Sequence, residues 1–240
     1  MGANREEGSM LRLEVSPSKA SPKKILCRTF LISLFLWFFL SSPLMGQEGM
    51  QCKTGRWNFD QDKVGTLPGG FVTRLGTWGI RHDSTAASQP YVYAQTSTKK
   101  IEDYFPSSLI ANSICKDFIA EMKIKPISGK LDQSGGFLFR GKDNNNYYVL
   151  RIEALRGSMA VYKMVQGKRS MIVWAKAEIK SNTWQTLRIL VKENKIEGYV
   201  SGQQILTLYD ETFLEGGSIG LWTKSDAVSY FDDLTIARSE

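Results

Sequence analysis

The chain of 240 residues carries a single histidine, His82, and only three cysteines. One imidazole excludes a histidine-based zinc cluster, and any Ser-His-Asp triad would have to use His82. From sequence that residue is expected in a polar loop beside Arg81, Asp83 and Ser84, where a solvated side chain is the default. Basic residues never run longer than two together, as in Lys168-Arg169, and the formal net charge is +7. The electrostatic footprint of a nucleic-acid-binding protein is therefore missing. After residue 50 no ten-residue stretch keeps a helical period, and the connections are too short for parallel crossovers.

What is present falls into three parts. Residues 1–46 read as an N-terminal extension and signal peptide, 47–55 as a short linker, and 56–240 as one domain. Lys23, Lys24 and Arg28 form a basic n-region ahead of the apolar run Phe30–Leu40, which Ser41, Ser42 and Pro43 break before Gly46-Gln47. As a helix that run spans about 16 Å, short of the roughly 30 Å of a bilayer core. Cleavage and export to the periplasm or the extracellular space is the leading expectation. An uncleaved anchor is the rival, which would confine membrane contact to the signal segment. Removing residues 1–46 would take away six basic and three acidic residues and leave a surplus of +4. Cys27 would leave as well. Cys52 and Cys115 would remain, an even pair in an oxidising compartment, and are expected to form a disulfide.

The domain is organised around Gly135–Ala154. Phe137 and Phe139 alternate with Leu138 and Arg140. After the polar cluster Lys142–Asn146, Tyr148, Leu150 and Ile152 alternate with Val149, Arg151 and Glu153. Period-two alternation about an Asn/Asp turn predicts a hairpin. Phe118–Lys125 alternates in the same way, and further short runs with turn residues between them follow to the C-terminus. About twelve strands at this spacing predict an all-β, antiparallel two-sheet sandwich.

The succession Gly76-Thr77-Trp78, Gly136-Phe137-Leu138-Phe139-Arg140, Asn146-Tyr147-Tyr148-Val149-Leu150-Arg151, Asn182-Thr183-Trp184, Gly217-Ser218-Ile219-Gly220-Leu221-Trp222-Thr223 and Tyr230-Phe231-Asp232-Asp233-Leu234 resembles the concanavalin A-like lectin/glucanase superfamily. Within it the chain is most similar to the laminin G-like and 3-keto-disaccharide hydrolase domain group. The resemblance covers about residues 56–237. It implies a jelly-roll sandwich with one concave and one convex sheet, and glycan binding or cleavage on the concave one.

The chemistry is less constrained. Family 16 glucanases use Glu-x-Asp-x-x-Glu on one strand, and no Glu-x-Asp occurs in this chain. In 3-keto-disaccharide hydrolase-like domains the strand matching Tyr148–Ile152 offers polar or acidic side chains to the cleft. Here those positions hold Val149 and Arg151, with Glu153 as the one carboxylate candidate for catalysis. Arg140, Arg151 and Glu153 are expected to form the polar floor of a ligand site, because alternation puts them opposite the apolar set of their strands. Trp78, Tyr148 and Trp222 are candidate sugar-stacking residues, with the sandwich core as the competing place for each. Asp60 and Asp62 near the start and Asp232 and Asp233 near the end are candidate ligands for a structural Ca²⁺, with turn and capping hydrogen bonds as the alternative. No other cofactor is required. The leading reading is an exported glycan-binding domain, non-catalytic or weakly catalytic, with a carbohydrate or glycoconjugate as partner. A hydrolase of 3-keto-disaccharides or related glycosides and a structural interaction module without a sugar ligand both stay open. Exported protein is expected to begin near Gln47 on N-terminal sequencing. A product that begins upstream of Phe30 would rule out the cleaved signal.

Overall fold

The structure is a computed structural model that describes residues 51–239. The expected extension and signal segment, residues 1–46, lie outside the described residues. In chain order the strands are β1 Gly55–Trp57, β2 Phe71–Leu75, β3 Trp78–His82, β4 Tyr91–Gln95, β5 Ser107–Ile110, β6 Phe118–Ser128, β7 Ser134–Asp143 and β8 Asn146–Glu153. There follow β9 Ser158–Val165, β10 Lys168–Lys176, β11 Gln185–Lys192, β12 Lys195–Val200, β13 Gln203–Tyr209, β14 Ser218–Trp222 and β15 Val228–Arg238. They form two antiparallel sheets. One has the order β13-β12-β11-β6-β15-β4-β3, with β1 also on β15, and the other the order β10-β9-β8-β7-β14-β5-β2. This is the jelly-roll β-sandwich that the sequence predicts, with fifteen strands among the described residues where the alternation alone marks about twelve. The additions are short. Phe71–Leu75 has only one fully buried side chain, and Ser107–Ile110 opens on two serines, so neither shows the apolar alternation of a half-buried strand.

Alternation sets the core. Phe118, Ala120, Met122 and Ile124 of β6 and Leu187, Ile189 and Val191 of β11 face Phe137, Phe139, Tyr148, Leu150 and Ile152 of the β7–β8 hairpin across the sandwich. Gly135 lets the sheets close at the hairpin's base: a Cβ there would lie 2.7 Å from Ile124 Cδ1 and 3.1 Å from the Phe231 ring. Tyr93 of β4 and Ser108 of β5 join the two sheets through a buried hydroxyl pair 2.6 Å apart, and burial pushes the Tyr93 phenol up to about 12. Cys52 and Cys115 are disulfide-bonded across a separation of 63 residues, which ties the chain before β1 to the start of β6. In the chain-entropy account a loop of this size is worth about 4 kcal/mol.

β15 carries a register shift between Asp232 and Thr235. The Asp232 carboxylate is fully buried there and accepts from Ser88 N at 2.8 Å, Ser88 Oγ at 3.1 Å and Asp233 N at 2.7 Å. Burial outweighs these donors and pushes the carboxyl up to about 6. The protonated form is thus favoured in the folded state, so this contribution to stability is complete below the ordinary aspartate range and is lost as pH rises through about 6. The stability of the protein relative to Asp232→Asn should therefore fall by on the order of 2 kcal/mol between about pH 4 and pH 7. Denaturant titrations of both proteins across that range measure it; a constant difference would contradict the assignment.

Candidate functional site

The seven-stranded sheet is covered on both faces along its centre. Tyr148, Leu150 and Ile152 enter the main core, so alternation sends Tyr147, Val149, Arg151 and Glu153 outward. The strand register lays this outer face out in rows. One row runs Trp174, Ala160, Arg151, Gly136, Trp222, Ser107 across β10, β9, β8, β7, β14 and β5. Nearer the hairpin turn, Arg169, Met164 and Tyr147 form another. Leu138, Tyr147, Val149, Met164 and Trp222 make a second apolar cluster between them, and Phe105 stacks on Trp222 with ring centres 5.9 Å apart.

Charged groups sit at one end of this platform. Arg151 Nη1 donates to Asp132 Oδ2 at 3.0 Å and Nη2 to the Tyr162 hydroxyl at 3.2 Å. Glu153 Oε2 accepts from Arg156 Nη1 at 3.0 Å and lies 4.0 Å from Arg151 Nη2, and Lys224 Nζ lies 3.9 Å from Asp132 Oδ2. Burial alone would lower the Arg151 guanidinium, yet Asp132, Tyr162 and Glu153 together hold it above its ordinary value. Asp132 Oδ1, Arg151 Nε, Glu153 Oε1 and Trp222 Nε1 are buried without a protein partner.

At the other end the face opens into a groove of about 770 Å³. Arg74, Phe105, Asn144, Asn145, Tyr147 and Arg169 are among its lining residues. The Arg74 guanidinium lies over the Tyr147 ring at 5.1 Å; that of Arg169 lies 5.0 Å from the Phe105 ring centre and 4.9 Å from that of Tyr162. The walls are fixed by backbone hydrogen bonds. Gly167 N donates to Asn145 O at 3.0 Å, Thr223 N to Pro106 O at 2.9 Å and Ser225 N to Tyr104 O at 2.7 Å.

The structure brings Arg151, Glu153 and Trp222 to one face and takes Arg140, Tyr148 and Trp78 away from it. Arg140 is a correction to the expected floor. Between the pairs Phe139↔Tyr148 and Asp143↔Asn146 strand β7 bulges, and Arg140 has φ 47°. The strict alternation that would put it opposite Tyr147, on the same face as Arg151, is broken at that residue. Its fully buried guanidinium instead donates to the carbonyls of Lys116, Phe213 and Glu193 at 3.0, 3.0 and 2.6 Å and to Asp117 Oδ1 at 3.2 Å. Tyr148 and Trp78 belong to the main core: the Tyr148 hydroxyl donates to Asp210, and Trp78 Nε1 to Leu75 O at 2.8 Å. Glu153 has no exposed side-chain surface, so a substrate cannot touch it in this conformation.

The four aspartates do not converge on an ion site. Asp60 accepts from Asn58 Nδ2 and Tyr91 N, Asp62 from Gly69 N, Asp232 from Ser88, and Asp233 pairs with Arg56 at 2.7 Å. Among the described residues no group of three or more His, Cys, Asp or Glu side chains is placed to hold a metal, so the calcium expectation finds no donor set. Arg74, Arg169 and Asp132 are the residues that reading the sequence missed. Arg169 was visible only as part of a turn. Arg74 and Asp132 lie in segments without alternation, and only tertiary structure carries them to this face.

A family model described as 3-keto-alpha-glucoside-1,2-lyase-like domain matches residues 95–237, more than half of the chain. The chain belongs to this family. Among solved structures it is similar to a carbohydrate binding module, CBM66, from Bacillus subtilis. That match has TM-score 0.58 and 22% identity, and covers 71% of this chain and 96% of the module. It is also similar to a β-glucanase from Bacillus licheniformis, with TM-score 0.55 and 13% identity over 78% of this chain and 98% of the other. A levanase from Bacillus subtilis (strain 168) is 24% identical over 131 residues, which is 54% of this chain and 19% of the levanase. This chain thus matches about a fifth of that curated relative. At these identities the solved structures establish the shared fold.

Arg140→Ala should lower the free energy of unfolding by about 3 kcal/mol, since three carbonyls lose their donor and Asp117 its partner. Arg140→Lys should recover only part of this. Chemical denaturation checks both, and a variant of unchanged stability would show that the guanidinium does not hold these loops together.

Proposed function

We propose that the protein is an exported carbohydrate-binding domain whose ligand lies in the groove on the outer face of the seven-stranded sheet. The observation that carries this reading is the groove itself: about 770 Å³, bordered by the amides of Asn144 and Asn145 and the guanidiniums of Arg74 and Arg169 above a buried apolar platform. Sugar hydroxyls need convergent donors and acceptors of this kind next to apolar surface. The family and the similarity to a carbohydrate binding module agree with a glycan partner. Arg151, Asp132 and Glu153 then shape the platform from one side rather than touch the sugar.

Turnover of a 3-keto-disaccharide or related glycoside is a second reading. The family description favours it, and so does the gathering of Asp132, Arg151, Glu153 and Lys224 on the same face as the groove. It requires that cluster to open, because Asp132 and Glu153 are fully buried.

A glycan array with the protein, followed by product analysis on every glycan bound, separates the two. Binding without released sugar is expected. Asn144→Trp, which places a large side chain in an exposed position of the groove, should weaken binding at least ~10-fold, or about 1.4 kcal/mol. Undiminished binding by a folded Asn144→Trp variant would remove the groove as the site, and catalytic release of sugar would establish the second reading.

A further inference from the structure

The groove differs from the rest of the molecule in how its cations are compensated. Elsewhere, the fully buried cations Arg140, Arg151 and Lys125 pair with Asp117, Asp132 and Asp83, and half-buried Lys163 pairs with Asp210, all between 2.9 and 3.2 Å, while half-buried Lys123 donates to the Thr186 hydroxyl at 2.7 Å. Arg74, Lys168 and Arg169 line the groove together, and none of them forms an ion pair among the described residues. Among the described residues Asp103 is the only carboxylate that lines the groove, and Asp143 outside it also acts on the Arg74 charge.

The two arginines are half-buried, and burial pulls both guanidiniums below their ordinary values. For Arg169 the positive charge of Arg151 adds to that effect, while Tyr162, Asp132 and Asp103 oppose it in part. Arg169 Nη1 is buried with no hydrogen-bond partner. A desolvated cation with an unused donor costs free energy unless something pairs with it. The aromatic rings do not offer the alternative of stacking on a neutral sugar. The Tyr147 face carries Arg74, and Phe105 is held between Arg169 and Trp222. What the groove presents to a ligand is guanidinium donors, whose planar fork matches a carboxylate or a sulfate better than a single hydroxyl.

We infer that the groove selects an anionic glycan, one whose sugar units carry carboxylates or sulfate esters, bound through Arg74 and Arg169 with Lys168 at the rim. This rests on the groove being the glycan site.

Titration calorimetry tests it with five probes at two salt concentrations: a galacturonic acid tetramer, its methyl ester, a sulfated galactan oligosaccharide, a neutral fructan oligosaccharide and a single-stranded oligonucleotide. An acidic probe is expected to bind at least ~10-fold tighter than the methyl ester and the fructan, and more weakly at high salt. Preference for the uronate or for the sulfate ester identifies which anion is the source, and either supports the inference. Arg74→Gln and Arg169→Gln should each remove most of the preference, and Arg169→Lys, which keeps the charge without the fork, should keep part of it. Thermal melts of each variant separate lost binding from lost folding, and Arg74 serves as an independent position if Arg169 variants unfold. Equal binding of neutral and acidic glycans, still blocked by Asn144→Trp, would overturn the anion inference and leave the glycan groove standing. Binding of the oligonucleotide alone, or of no probe, would overturn both.

Discussion

One guanidinium closes the sandwich at its hairpin end, the end at which the outer face of the seven-stranded sheet carries the groove. Arg140 leaves the β7 pleat at a bulge and spends its donors on three loops, those at Lys116, Phe213 and Glu193. These loops come from different parts of the chain, and beside the Arg140 bonds a single bridge between Cys115 and Gly217 joins the first to the chain that follows the second. Burial pulls the guanidinium down, and Asp117 and Tyr148 pull it back. Backbone carbonyls at the end of a sandwich need donors when water is excluded, and arginine supplies several from one point. Had Arg140 stayed in the pleat, its charge would lie on the outer face beside Leu138, and the hairpin end of the core would lack this closure.

The fold was legible because it depends on alternation, which is local. Phe118–Lys125 and the two arms of the hairpin read correctly, since each buries every second side chain on a face common to the whole strand. The site was legible only where alternation persists. Arg151 and Glu153 lie in an unbroken stretch of β8, and the structure places them outward as the pattern requires. Arg140 lies one residue beyond the last regular pair, and a bulge leaves no signature in the period. The aromatic residues divided for a related reason. Trp78, Tyr148 and Trp222 look alike in sequence, but Trp222 pairs with Gly136 on the outer row whereas the other two enter the core. Which sheet face is inner is a tertiary fact.

The outer platform has its own physical consequence. Leu138, Val149, Met164 and Trp222 exclude water beneath Arg74, Arg151 and Arg169, which strengthens every charge interaction above them. Arg151 answers this with Asp132 and the Tyr162 hydroxyl. Arg74 and Arg169 form no ion pair among the described residues; they lie against ring faces with Asp143, Asp132 and Asp103 acting only from a distance, and a cation–ring contact is worth about 0.5–2 kcal/mol, less than a desolvated charge requires. The imbalance is thus confined to the groove and does not run across the whole face.

The walls of the groove are cross-linked by hydrogen bonds. The β7–β8 and β9–β10 turns are joined through Gly167 N to Asn145 O, and Gln166 N donates to Asn146 Oδ1 at 3.0 Å. On the opposite side the chain at Tyr104–Pro106 is bonded to Ser225 and Thr223, and Phe105 is stacked on Trp222. A groove whose walls are already ordered does not have to order them when a ligand arrives, so more of the gross contact energy appears as affinity. Arg74 and Arg169 are partly ordered too, because the rings beneath them restrict their side chains. The unfavourable part of the free protein is therefore electrostatic rather than conformational, and an electrostatic deficit is relieved by the charge of the ligand rather than by its size.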